Sequence, residues 1–211
     1  MIITGIDLAS VHSAICTIEV PTPKSWHDDP WDATDSCVLE LDWIDVKDDT
    51  TAARIQAAHA FLSVVEEYKP EIVAIEDYTR QRKSFDSYNV GELGGMLRLL
   101  LWQKKYPQIY ISPMRLKMFL HIHNKTPIHK DAVKDAVKEH FAYVNGSSTK
   151  KHREDATDAF ALAQLGRAFR HFWAYDGSDS AMWAWMNAKQ KKVLESLWAD
   201  KDRLCLRSSS I

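Results

Sequence analysis

The chain has 211 residues, 45% of them hydrophobic, and a formal net charge of −2. That suffices for one domain with a real core, or for one domain plus an appendage, and no apolar run reaches the roughly 18 residues a bilayer span needs, so no membrane association is expected. No basic-then-apolar leader precedes the first apolar run, and Cys16, Cys37 and Cys205 form neither a zinc pattern nor a disulfide framework; the expected setting is the cytoplasm or another reducing intracellular compartment.

In chain order, residues 2 to 8 carry Ile2, Ile3 and Ile6 and read as a strand buried on both faces. Asp7 interrupts it, and a carboxylate there is costly to desolvate unless a cation or hydrogen-bond donors meet it. Gly5, Ala9 and Ser10 are small and leave room for something to approach that carboxylate. Residues 14 to 20 read as a second strand, and residues 21 to 36, rich in Pro, Asp and Trp, as an irregular loop. Residues 37 to 46 alternate partly and suit a third strand of an antiparallel meander. A helix capped by Thr50 or Thr51 runs to about Tyr68, with Ile55, Phe61, Leu62 and Val65 at helical spacing, and Lys69-Pro70 ends it.

Residues 71 to 76, EIVAIE, give the second strong strand signal. A strand–helix–strand unit favours parallel pairing through a right-handed crossover, which sets this strand beside the first. Asp7 and Glu76 then emerge at the same edge, where ligands of open α/β sheets collect. Residues 79 to 88 read as a loop in which Arg80, Arg82, Lys83, Phe85 and Tyr88 interleave basic and aromatic groups, a pattern suited to phosphates and stacked bases. A helix is expected from about 89 to 106, with Gly91, Gly94 and Gly95 permitting close packing on the sheet. A strand follows at 108 to 112, then a short helix from Pro113 to Leu120 and another over 129 to 142. The next helix spans about 153 to 172, with Asp155 and Asp158 on one side of its first turn. Residues 181 to 204 read as an amphipathic helix that exposes Trp183, Trp185, Trp198 and other large apolar groups, for packing on the domain or on a partner chain.

Charge is distributed unevenly. Residues 1 to 79 hold four Lys or Arg against sixteen Asp or Glu, whereas residues 98 to 153 hold twelve against three. A basic face on a near-neutral protein suits a polyanion, and Arg115, Lys117, Lys130, Lys134, Lys150 and Lys151 are its candidate DNA contacts. Set together, Asp7, Glu76, Asp155 and Asp158 are carboxylates that repel one another unless hard cations neutralise them. Such oxygen donors suit Mg²⁺ or Mn²⁺, and two ions about 3.5–4 Å apart clamp an in-line displacement at phosphorus. No G-x-S-x-G elbow or C-x-x-C pair points to a covalent nucleophile.

GID-x-x-S at Gly5 to Ser10, AIED at Ala74 to Asp77 and EDATDAFALA at Glu154 to Ala163, in this order, resemble the RuvC-type Holliday junction resolvases of the RNase H-like superfamily. The resemblance covers most of residues 1 to 170. It implies an α/β fold: an RNase H-like mixed sheet, antiparallel meander plus parallel strands, flanked by helices. A C-terminal helical extension is added, with a nuclease domain at 1–172 and the extension at 173–211. It implies that Asp7, Glu76, Asp155 and Asp158 hold two metal ions per active site and that Lys117 and Lys130 join the catalytic set. It also implies that either Tyr78 or Phe85 stacks in the junction and that the protein is a homodimer joined through the helix after the second acid. Leu8-Ala9 replaces the Pro-Gly usual after the first acid, which points to a divergent branch of the kind found in viruses and organelles. The implied activity is a crossover junction endodeoxyribonuclease, hydrolysing phosphodiesters of branched DNA to 5′-phosphate and 3′-hydroxyl ends. The competing readings are a nuclease acting on flaps or RNA–DNA hybrids, a non-catalytic DNA-binding scaffold, and an actin-like ATPase. The last lacks Gly-rich phosphate loops and needs more chain.

Overall fold

The structure, a computed structural model, describes residues 1–20, 37–77, 85–120, 133, 135, 137, 150–174 and 186–200. Five strands form one sheet in the order β3-β2-β1-β4-β5. Strands β1 (Ile2–Asp7), β2 (His12–Glu19) and β3 (Cys37–Asp45) make the expected antiparallel meander. Strands β4 (Ile72–Glu76) and β5 (Gln108–Ile111) extend it on the other side in parallel. The mixed sheet anticipated from the apolar runs is thus present, and β1 lies at its centre with both faces covered.

Helix α1 (Thr51–Tyr68) crosses from β3 to β4. Thr50 caps it by accepting from the Ala53 amide, and Lys69 ends it in the left-handed region at φ 50°. Helix α2 (Phe85–Gln103) follows β4. Both pack on one sheet face, where Ile6, Ile15, Val73 and Ile75 meet Phe61, Leu62 and Val65 of α1 and Leu93, Leu97 and Leu101 of α2. Helix α1 approaches the sheet through Ala53, Ala57 and Ala58, which turns Ile55 outward; it is exposed rather than in the core as its spacing implied. Helix α2 begins at Phe85, so Phe85 and Tyr88 belong to a helix and not to a loop. Gly95 does not serve sheet packing either, since a side chain there would meet nothing within 4 Å.

The opposite face carries α3 (Pro113–Phe119), α4 (Lys150–Ala174) and α5 (Ala188–Ala199). Ile3, Ala14, Cys16, Ile18, Ile72 and Ala74 of the sheet pack there against Ala159, Phe160, Ala163 and Phe169 of α4. Val133 and Val137 are helical and buried in the same cluster; the rest of the helix expected at 129 to 142 lies outside the described residues. Helix α4 starts at Lys150, so Asp155 and Asp158 stand beyond its first turn. Helix α5 hides its apolar residues: Val193, Leu194 and Leu197 are fully buried, and the Trp198 ring meets Phe172 edge-on at 5.8 Å. Of the two packings expected for the apolar face of this segment, on the domain or on a partner chain, the described part takes the first. Trp183 and Trp185 lie outside the described residues.

Candidate active site at the sheet edge

Two parallel neighbours set the first pair of acids. Strands β1 and β4 pair with Ile6 opposite Ile75, so the next residues, Asp7 and Glu76, stand at the same level at the two C-terminal ends. Side chains alternate along a strand, and Ile3, Ile72 and Ala74 face α4. Asp7 and Glu76 share that parity and that face. Asp7 is 6% exposed, which a carboxylate tolerates only where donors or cations compensate it.

Helix α4 supplies the second pair. Its Gly166 lies over Ile3 and Ala74, with a Cβ there at 3.1 and 3.0 Å from their side chains, and Ala159 and Ala163 lie over Gly5. The helix therefore runs antiparallel to β1, and moving toward Asp7 means moving toward the start of α4. Four helical residues back from Ala159 are about 6 Å, and two strand residues beyond Gly5 are about 6.6 Å. Asp155 thus reaches the level of Asp7, with Asp158 in the same turn. Asp155 is buried and Asp158 half-buried. The small residue at position 5 serves this docking: a Cβ on Gly5 would strike the Ala159 carbonyl and the Ala163 amide. Its space is filled by the helix backbone, not held open for a ligand.

By backbone placement, three elements bring four carboxylates to one edge of the sheet. Among the described residues, no three or more His, Cys, Asp or Glu side chains are grouped closely enough to hold a metal ion. The donor set fits a hard divalent cation, because ionised carboxylates are acceptor-only oxygen ligands of the kind Mg²⁺ and Mn²⁺ take. Asp77, next to Glu76, has a different task. Its amide donates to the Ile111 carbonyl, and its carboxylate accepts from Arg98 at 2.9 Å. The Arg98 guanidinium lies 4.1 Å from the Tyr110 ring centroid.

The basic groups divide likewise. Strand β5 pairs with β4 up to Glu76 opposite Ile111, so α3 starts at the same edge, capped by Ser112. Lys117 is half-buried on α3. Arg115, a candidate DNA contact, is ion-paired to Asp200. Lys104 pairs with Glu66 on the surface; the hydrogen bond and charge of Glu66 raise its pKa above the usual lysine value. Tyr78, Arg80, Arg82, Lys83, Lys130 and Lys134 lie outside the described residues. Phe85, Lys150 and Lys151 are helical by backbone, and their side chains lie outside the described set.

One cluster at this edge was not visible in the sequence. Arg54, 6% exposed, binds Asp49 at 2.8 Å and also Glu92, joining the start of α1 to α2. Burial works against its charge, but the hydrogen bonds and charges of Asp49 and Glu92 outweigh it and hold the guanidinium pKa above its usual value. Asn89 donates to Asp49 at 2.7 Å, and Thr51 to Glu92 at 3.0 Å. The partners are 38 residues apart for Arg54 and Glu92, so no local spacing could have signalled them. On β2 and β3, His12 and Asp45 face each other with Nδ1 2.6 Å from Oδ1.

No protein-family model matches the chain, and no curated sequence relative matches it. Solved structures do. RuvC of Thermus thermophilus superposes with a TM-score of 0.61 at 21% identity, covering 84% of this chain and 98% of that one. The same protein in complex with a Holliday junction substrate gives a TM-score of 0.60 at 20% identity, over 84% and 98% of the two chains. The yeast mitochondrial Holliday junction resolvase Ydc2 gives 0.52 at 15% identity, over 95% of this chain and 84% of its own. By its sheet order, its helix placement and these superpositions, the chain has the RNase H-like fold of the RuvC-type Holliday junction resolvases.

Proposed function

We propose that this chain is a metal-dependent endonuclease that resolves four-way or related branched DNA junctions by phosphodiester hydrolysis. One observation carries the reading. The parallel register of β1 and β4 sets Asp7 beside Glu76, beneath the turn of α4 that bears Asp155 and Asp158. Bound divalent cations would supply activation of water and neutralisation of charge at phosphorus. The chain's part is to hold them through the four acids, to keep this edge rigid through the sheet and α4, and to meet phosphate oxygens with Lys117 and Lys130. Cleavage leaves a 5′-phosphate and a 3′-hydroxyl.

A four-way junction has two symmetry-related strands to cut, and a two-fold dimer offers two matching sites. Helix α2 supports self-association. Tyr88, Leu99 and Trp102 are 66%, 54% and 47% exposed, and with Gly95 they are spaced seven, four and three residues apart, one stripe of a helix. Gly95 faces open space, which lets a second helix come close. Leu93, Leu97 and Leu101 of this helix are committed to the chain's own core, and Val90, Met96 and Leu100 pack partly against it.

The test is cleavage of a four-way junction in Mg²⁺, compared with a flap, an RNA–DNA hybrid and a linear duplex of the same sequence. Paired, symmetric nicks confined to the junction support the reading. Equal cleavage of the duplex, or preference for the hybrid, overturns it.

A further inference from the structure

We infer that the C-terminal helix α5 is a positioning element of the active site, clasping α3 at both of its ends and so setting where Lys117 stands. The inference rests on the resolvase reading, which gives Lys117 its task.

Helix α3 has seven residues. A helix that short has almost no stability or orientation of its own, because nucleation costs more than two turns return. Its placement must come from tertiary contacts, and α5 provides them at two points. Arg115, in the first turn of α3, donates to the carboxylate of Asp200, the residue that closes α5. Phe119, the last residue of α3, offers its carbonyl to Gln190 Nε2 at 3.2 Å. Carbonyls in a last helical turn have no partner within the helix, so this bond answers a need of α3 itself. Gln190 is fixed in turn by the α5 cap: its Oε1 accepts from the Asn187 amide, and its own amide donates to the Asn187 side chain. The two helices therefore run antiparallel, pinned at opposite ends.

Between the pins, Leu116 and Phe119 share a buried cluster with Val193, Leu194 and Leu197. Arg115 and Phe119 are four residues apart and occupy one face of α3; Lys117 is two residues from each and lies on the opposite face. Helix α5 thus grips the side of α3 turned away from Lys117, which fixes the lysine without covering it. Arg115 counts as part of the clasp, not of the DNA surface. The clasp begins beyond the part of the chain whose motifs resemble the nuclease family, so the extension is built into the site rather than appended to it.

The test uses the full chain with Gln190→Ala, Asp200→Asn and the double variant. Asp200→Glu, which keeps the charge, should retain cleavage. Single-turnover junction cleavage should fall by about tenfold in the double variant, since misplacement of a catalytic group by about 1 Å costs up to about 100-fold. Junction affinity, read in Ca²⁺, should stay within about twofold, because no phosphate contact is lost. In a Lys117→Ala background the double variant should add no further loss, since residues acting through one group are not additive. Amide exchange at residues 114 to 120 should speed up while that of α2 stays unchanged. Wild-type cleavage by the double variant overturns the inference, as does an additive loss in the Lys117→Ala background. Tighter junction binding by Asp200→Asn would mark Arg115 as a masked DNA contact and overturn it too. If Lys117→Ala itself cleaves at the wild-type rate, the lysine's assignment fails and the positioning role fails with it; the exchange data separate that failure from absence of the clasp.

Discussion

Gly5 of β1 lies directly under Ala159 of α4, with no room between them for a Cβ. This contact sets the depth of α4 on the sheet, and with it the distance from Asp155 and Asp158 to Asp7. Gly5→Ala should therefore do two things at once. Overpacking against backbone should lower stability by about 3 kcal/mol, and the lifted helix should lose its acids from the site. Urea unfolding reads the first and junction cleavage the second. A variant of wild-type stability and activity would show that α4 does not dock through this contact.

The lysines should separate by their surroundings. Lys104 is tied to Glu66 on the surface, whereas Lys117 stands on α3, which starts at the sheet edge of Glu76, and Lys130 joins it by resemblance. Lys117→Ala and Lys130→Ala should slow cleavage at least about tenfold, in the range of a lost general acid–base or charge contact. Lys104→Ala should leave the rate unchanged. Affinity for the junction should fall steeply with salt, as for any binder that displaces counterions from phosphates. Cleavage assays of the three variants and a salt titration check these outcomes; equal effects of all three substitutions would contradict the division.

Self-association should follow the stripe on α2. Leu99→Glu with Trp102→Glu should yield a monomer at micromolar concentration, because burying two carboxylates in an apolar interface is prohibitive. Sedimentation should give twice the 24.2 kDa chain mass for the unmodified protein and the single mass for the variant. A monomer in both cases, with and without junction DNA, removes the dimer.

The two described cysteines should differ in reactivity. Cys16 is completely buried on β2, and burial pushes its thiol well above the usual range, with the Glu40 charge adding to it. It stays protonated across the neutral range and out of reach, while Cys37 is exposed. A thiol reagent should label Cys37 in the native protein and Cys16 only after unfolding, as read by peptide mass spectrometry. Rapid native labelling of Cys16 would contradict its place in the core.

The sheet was legible because its strands carry strong local signals. Ile2, Ile3 and Ile6, and Ile72 through Ile75, are apolar runs, and the intervening helix forces parallel pairing. The placement of Asp7 and Glu76 at neighbouring strand ends followed from those runs together with that crossover. The role of Gly5 was misread, because its partner on α4 lies more than 150 residues away. Ile55 left the core its spacing implied for a similar reason: periodicity gives a helix its faces but not the neighbour each face meets. Arg54 with Glu92, and Arg115 with Asp200, are likewise long-range pairs with no sequence spacing to mark them.

The most direct measurement compares Asp7→Asn, Glu76→Gln, Asp155→Asn and Asp158→Asn with the unmodified protein on a four-way junction in Mg²⁺. The four acids are assigned to metal and chemistry, and affinity is assigned to the basic groups. We predict that cleavage is abolished in each variant while junction binding is kept or tightened, since a negative charge beside phosphate is removed. Cleavage at the unmodified rate by all four variants would contradict the site.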